Sequence, residues 1–162
     1  MKTQEGLKMT RFQSEQQRLV LTVLYTASNL MHQHRTLLKP HGITPEQFNI
    51  LRILKGQCGT PIALKDVTDR MIDQNSNTSR LLDKLKKKGW VQSIFCPADR
   101  RRIEITLTQE GLRAIDNLSL LMEGEMQRMK AFWSDETASK ASQILDTWNQ
   151  QLKTTTSQNP TT

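Results

Sequence analysis

Between Asn75 and Arg102 the chain carries eight cations (Arg80, Lys84, Lys86, Lys87, Lys88, Arg100, Arg101 and Arg102) against two anions, Asp83 and Asp99, a local net charge of +6. The whole chain of 162 residues carries +7, whereas from Thr108 onward five cations face seven anions. Charge this local is an electrostatic footprint for a polyanion. Just ahead of the lysines stand Ser76, Asn77, Thr78, Ser79 and Arg80, all able to hydrogen-bond and none large and apolar. At a helix start such side chains can meet base edges in the major groove of DNA. Outside that setting they are capping groups. Arg80 and Lys84 fall one turn apart, opposite Leu81 and Leu85. Lys86, Lys87 and Lys88 either touch phosphates or only complement the negative end of a helix dipole. Further on, Asp99, Arg100, Arg101 and Arg102 occupy a turn-forming segment. An arginine on a narrow projecting loop can enter the minor groove, where the potential is most negative. A neighbouring carboxylate such as Asp99 can hold its guanidinium in a bidentate pair. The bland alternative is a solvated loop tip.

Other chemistries find no residues. There is no Gly-rich phosphate loop, no H-E-x-x-H and no nucleophile motif, so neither an enzyme nor a cofactor is expected. His32 and His34 are two apart in a helical stretch and point to different sides, and His41 is isolated, so no metal site is expected. Two cysteines, Cys58 and Cys96, fit a reducing compartment and make no disulfide framework. A thiol-based redox sensor is an alternative reading that rests on these two residues. No run of eighteen apolar residues exists, and residues 1–11 lack the apolar core of a secretory signal, so a cytoplasmic location is expected, with no membrane partner.

The elements that must position these groups are mostly helical. Hydrophobic content is 36% and mean hydropathy is −0.58, a polar balance that suits an elongated helical assembly. A helix from about Phe12 to Lys39 carries the stripe Leu19, Val23, Ala27, Leu30, His34 and Leu37, and Pro40 and Gly42 end it. Thr44-Pro45-Glu46-Gln47 has the form of a capping box for a helix bearing Phe48, Ile50, Leu51 and Leu54. A third helix starts near Leu64, with Val67 and Met71 inward. Turn formers fill residues 72–77. A fourth helix buries Leu81, Leu82 and Leu85 and stops at Gly89. Residues 90–95 and 102–107 read as strands of a β-hairpin whose charged tip starts at Cys96. Thr108 caps a helix over 109–133, and Ser134 caps a last helix. Thr154 to Thr162 read as a polar, disordered tail. The expected fold is mainly α with a small β-hairpin wing. It divides into an N-terminal dimerisation helix (1–43), a DNA-binding domain (44–107), C-terminal dimerisation helices (108–152) and a tail (153–162).

Residues 64–107 thus run helix, turn, helix, strand, charged loop, strand, the order of a winged helix-turn-helix. Leu64-Lys65-Asp66-Val67, Gly89-Trp90-Val91, Asp99-Arg100-Arg101 and Ile105-Thr106-Leu107-Thr108-Gln109-Glu110-Gly111 resemble the MarR family of bacterial transcription regulators, and the likeness of helix order covers roughly residues 12 to 152. The resemblance implies that residues 73–80 begin a recognition helix. It makes Arg101 the minor-groove arginine, with Arg100 as fallback and Asp99 fixing the wing. It implies a homodimer joined by the first and the last two helices, and the long apolar stripes support this independently. It also implies, in many members, a small phenolic or aromatic effector. Met31, His34, Phe48 and Trp133 either line a cleft for one or belong to the core. The expected function is a sequence-specific regulator, usually a repressor, on a pseudo-palindromic operator with half-sites about 10 bp apart. The rival reading is a winged-helix module that binds a protein and no DNA.

Overall fold

The computed structural model describes residues 2–95 and 103–158. A short helix α1 (Thr3–Gly6) precedes the long helix α2 (Glu15–Leu38), whose N-cap Ser14 accepts a bond from the Gln17 backbone N–H at 3.1 Å. One 3-10 turn, Lys39–His41, follows, and Gly42 at φ 67° ends it in the left-handed region that glycine enters without strain. The Thr44 capping box forms as its sequence predicts. The Gln47 N–H donates to Thr44 Oγ1 at 3.3 Å, and the Thr44 N–H donates to Gln47 Oε1 at 3.0 Å. It starts α3 (Pro45–Lys55). Then come β1 (Ile62–Ala63), α4 (Leu64–Asp69), α5 (Thr78–Lys87), β2 (Val91–Phe95), β3 (Ile103–Leu107), α6 (Gln109–Lys130) and α7 (Asp135–Gln158).

The hairpin has a third strand. β1 pairs antiparallel with β3, Ile62 opposite Ile105, while β2 pairs with the other edge of β3 from Val91 opposite Leu107 to Phe95 opposite Ile103. Two residues are too few to show an alternating pattern, so this part of the sequence reads only as the end of a loop. β1 leads directly into α4 and ties that helix to the sheet.

The described residues fall into two compact units divided between Leu118 and Ser119. In the first, Leu38, Ile50, Leu51, Val67, Leu82, Leu85 and Ile115 are fully buried, so α3, α4, α5 and the start of α6 share one core. The stripe of α2 is different. Leu19, Leu24 and Leu30 lie in the open, Leu24 being 61% exposed. The second unit holds the rest of α6 and α7, and Leu120, Phe132, Ile144 and Leu152 are exposed there.

Both late helices differ from expectation at their C-terminal ends. α6 stops at Lys130, not at Trp133, because the Ala131 and Phe132 N–H groups bond three residues back, to Arg128 and Met129. α7 runs to Gln158, through residues that read as tail. The Thr154 hydroxyl donates to the Gln150 carbonyl at 3.0 Å, one turn back along the helix.

One close approach sets the angle of α6. A Cβ at Gly111 would run into the Trp90 carbonyl. Gly111→Ala is therefore expected to cost about 1–3 kcal/mol by overpacking. Urea unfolding followed by circular dichroism measures it, and an unchanged midpoint would contradict the packing.

Candidate nucleic-acid interface

The segment from Asp73 to Lys88 builds the interface from its own hydrogen bonds. One Asp73 carboxylate oxygen accepts the Asn75 N–H at 3.0 Å, and the other accepts the Ser76 hydroxyl at 3.1 Å. This is an Asx turn, the short-range device by which an aspartate folds the chain after it. Asn77 then caps α5, its Oδ1 accepting the Arg80 N–H at 3.0 Å. α5 buries Leu82 and Leu85 against α3 and α4, each burial stabilising by roughly 1.5–3 kcal/mol. That fixes the rotation of the helix. Ser79, Arg80, Asp83, Lys84 and Lys87 all face outward.

The residues read from the sequence as base-facing divide into two sets. Ser79, Arg80 and Lys84 are exposed, and neither Arg80 nor Lys84 makes an ion pair among the described residues. Thr78 turns inward. It is 5% exposed and its hydroxyl donates to the Ser76 carbonyl at 3.3 Å, so it supports the turn rather than facing a groove. Ser76 and Asn77 are held by the turn and the cap.

The lysine run separates in the same way. Lys86 lies 3.9 Å from Asp83, and Lys88 packs over the Trp90 ring at 5.1 Å. Lys87 is exposed with no ion pair among the described residues. Asp83 and Asp73 carry roles that the charge count alone hides. The signal for Asp73 was present, an Asp followed two and three residues later by Asn and Ser.

The wing starts where β2 and β3 part, with Phe95 opposite Ile103. Its tip, with Cys96, Asp99, Arg100, Arg101 and Arg102, lies outside the described residues. Its root is held firmly. The Thr108 hydroxyl donates to the Gly89 carbonyl at 2.6 Å and accepts the Gly111 N–H at 3.0 Å, while the Thr108 N–H donates to the Trp90 carbonyl at 3.1 Å.

Helix, turn, helix and wing root thus form one winged-helix unit, and known proteins share it. The model of the MarR family matches residues 43–103. The multiple antibiotic resistance protein MarR of Escherichia coli K12 is 31% identical over 124 residues, 75% of this chain and 82% of that protein. The chain belongs to the MarR family. The transcriptional repressor MprA of the same organism is 29% identical over 97 residues, and the match spans 59% of this chain and only 55% of MprA. In fold, the MarR-family regulator AbsC of Streptomyces coelicolor superimposes with a TM-score of 0.75 at 19% identity, covering 89% of this chain and 99% of AbsC.

This MarR-family chain also has a hollow beside the interface. A cavity of about 220 Å³ is lined by Met31 and His34 of α2, by Pro45, Glu46, Phe48, Asn49 and Arg52 of α3, and by Met71, Ile72 and Asp73. Three of the four residues expected at a cleft, Met31, His34 and Phe48, meet there. Trp133 belongs to the second unit, where it lines another hollow with Met126, Met129 and Ala138. Asn49 was not singled out by its sequence, although a polar residue between Phe48 and Ile50 on an apolar helix face is a readable signal. It is 4% exposed. Its Oδ1 accepts the Ile72 N–H at 2.9 Å, and its buried Nδ2 has no hydrogen-bond partner among the described residues. Such an orphan donor costs about 1–3 kcal/mol. Elsewhere, Cys58 is exposed at φ 51°.

Asn77→Ala removes the cap of α5 and is expected to lower stability by about 1 kcal/mol, with Asn77→Asp restoring most of it. Thermal unfolding of the two variants side by side checks this, and equal midpoints would argue that the cap is idle.

Proposed function

We propose that this chain is a sequence-specific DNA-binding transcription regulator that acts as a homodimer, represses from a pseudo-palindromic operator and is released by a small ligand. The observation that carries the reading is the outward face of α5. Arg80, Lys84 and Lys87 stand at helical spacing with no ion pair among the described residues, on a helix whose opposite face is locked into the core. Exposed cations at that spacing are available to phosphates and base edges. The name of MprA, a transcriptional repressor, supports repression. The open apolar residues of α2, Leu19, Leu24 and Leu30, and those of the second unit support a dimer, because a lone chain would leave them in water. A twofold dimer presents α5 twice, and half-sites one helical turn apart, about 10 bp, follow from that symmetry. The ligand would occupy the cavity of Met31, His34 and Phe48. Arg100 and Arg101, braced by Asp99, would enter the minor groove. Among the described residues no helix is long and apolar enough to cross a membrane, which agrees with action on cytoplasmic DNA.

Selection of bound fragments from genomic DNA, followed by salt titration on the selected site, tests the reading. Affinity is expected to fall steeply with salt as neutralised phosphates release counterions. A flat response, or no selection at low salt, would leave the protein-binding module as the better account. Arg80→Ala is expected to lose ~1–3 kcal/mol of discrimination between the selected site and a mutated one. Lys87→Ala is expected to weaken all sequences alike and to reduce the salt slope by about one. The same uniform loss from both variants would remove Arg80 from base reading.

A further inference from the structure

We propose that Lys88 serves DNA binding as a positioning residue: its ammonium, lodged between Gly42 and the Trp90 ring, ties the end of α5 to the α2–α3 link and to the wing root, and it touches no phosphate. The proposal rests on the DNA-binding reading above.

The backbone brings these groups together. α5 ends in a Schellman motif, the Trp90 N–H donating to the Leu85 carbonyl at 3.1 Å and the Gly89 N–H to the Lys86 carbonyl at 2.9 Å. Gly89, between Lys88 and Trp90, is left-handed at φ 72°. The turn folds residue 90 back beside residue 88, and the Lys88 ammonium stands 5.1 Å from the centre of the indole. The place on the helix agrees. Arg80, Lys84 and Lys87 recur at steps of four and three and share the outward face. Lys88 instead follows Leu81 by seven residues, about two turns along the side that packs on the core.

A second element reaches the same ammonium. A Cβ at Gly42 would lie 3.3 Å from Lys88 Nζ, so this glycine leaves the room that the cation fills. Gly42 closes the 3-10 turn that continues α2. Lys88 therefore stands at the C-terminal ends of two helical runs, its own α5 and that of α2 with its 3-10 turn, where carbonyl dipoles favour a cation. An acidic group stands beside the turn as well, since a Cβ at Gly89 would lie 3.4 Å from a carboxylate oxygen of Glu110. A ring and two helix ends suit a cation without any phosphate, and the nearby carboxylate repels one. Groove reading needs α5 and the wing at a set spacing, and this ammonium sits where α5, the α2–α3 link and the head of β2 converge.

The test is salt titration of the full chain on the selected operator, with magnetic resonance of the same chain free of DNA. Lys88→Met keeps the aliphatic reach of the side chain and removes its charge. It is expected to weaken operator binding by about two- to fivefold at every salt concentration, with the salt slope unchanged. Loss of a phosphate contact would instead flatten the slope by about 0.9. Lys88→Arg keeps a cation for the ring and is expected to restore the affinity. Trp90→Phe weakens the ring's attraction, so Lys88→Met is expected to cost less in that background than in the unaltered chain. In the free protein the Lys88 methylene next to the ammonium is expected upfield of the other lysines, shifted by the indole, and this readout stands should a variant fold poorly. A flattened slope, unchanged affinity of a folded Lys88→Met variant, or equal costs in the two backgrounds would overturn the positioning role. A Lys88 methylene at the ordinary lysine position would overturn the contact itself. Failure of the DNA reading shows separately, as absent or salt-independent binding by the unaltered chain, and it would remove the positioning role while leaving the contact.

Discussion

The Thr108 side chain closes three elements onto one point. Its hydroxyl bonds the end of the α5 turn at Gly89 and the start of α6 at Gly111, while its backbone N–H bonds Trp90 at the head of β2. Gly89 at φ 72° lets the chain reverse there, and Gly111 lets α6 come close enough to complete the joint. Without that joint, α5 would still bury Leu82 and Leu85 in one core with Val91 and Ile105, but the wing root would lose its tie to α6. A reader of DNA needs both at a set spacing, since groove contacts are geometric before they are energetic. Here three hydrogen bonds of Thr108 and the missing side chain of Gly111 add to the shared core in holding that spacing.

The legible parts of the sequence were those where a residue acts on its near neighbours. Thr44 with Gln47, Ser134 before α7 and Thr108 before α6 announce themselves at fixed offsets and form the capping bonds their types predict, and Gly89 after α5 takes the left-handed φ that glycine favours. The alternation of Ile103, Ile105 and Leu107 gave β3 directly. Less legible were features decided at a distance. β1 exists because β3 offers it an edge. Thr78 faces inward because Leu82, one turn on, is drawn into the core. Lys88 leaves the charged face because Trp90 supplies a ring beneath it. Asn49 became visible only through its burial and its bond to the distant Ile72 N–H.

The charge of the window from Asn75 to Arg102 accordingly does several jobs. Part of it stays local, in the Lys86–Asp83 pair and the Lys88–Trp90 contact, and surface contacts of this kind contribute little to stability. Arg80, Lys84 and Lys87 are exposed and make no ion pair among the described residues. Core and surface of α5 are in this sense separate investments in sequence, one fixing the helix and the other facing outward from it.

The Lys88–Trp90 contact has a use of its own. The indole sits under a cation at the joint where α5, the wing root and α6 meet, whereas Trp133 and Trp148 belong to the second unit. With phenylalanine at those two positions, Trp90 becomes the single tryptophan of the chain. Its emission responds to the local field and to quenching, so the joint carries its own optical gauge. Any event that shifts α5 against the wing root can then be followed in real time, without a label and without DNA.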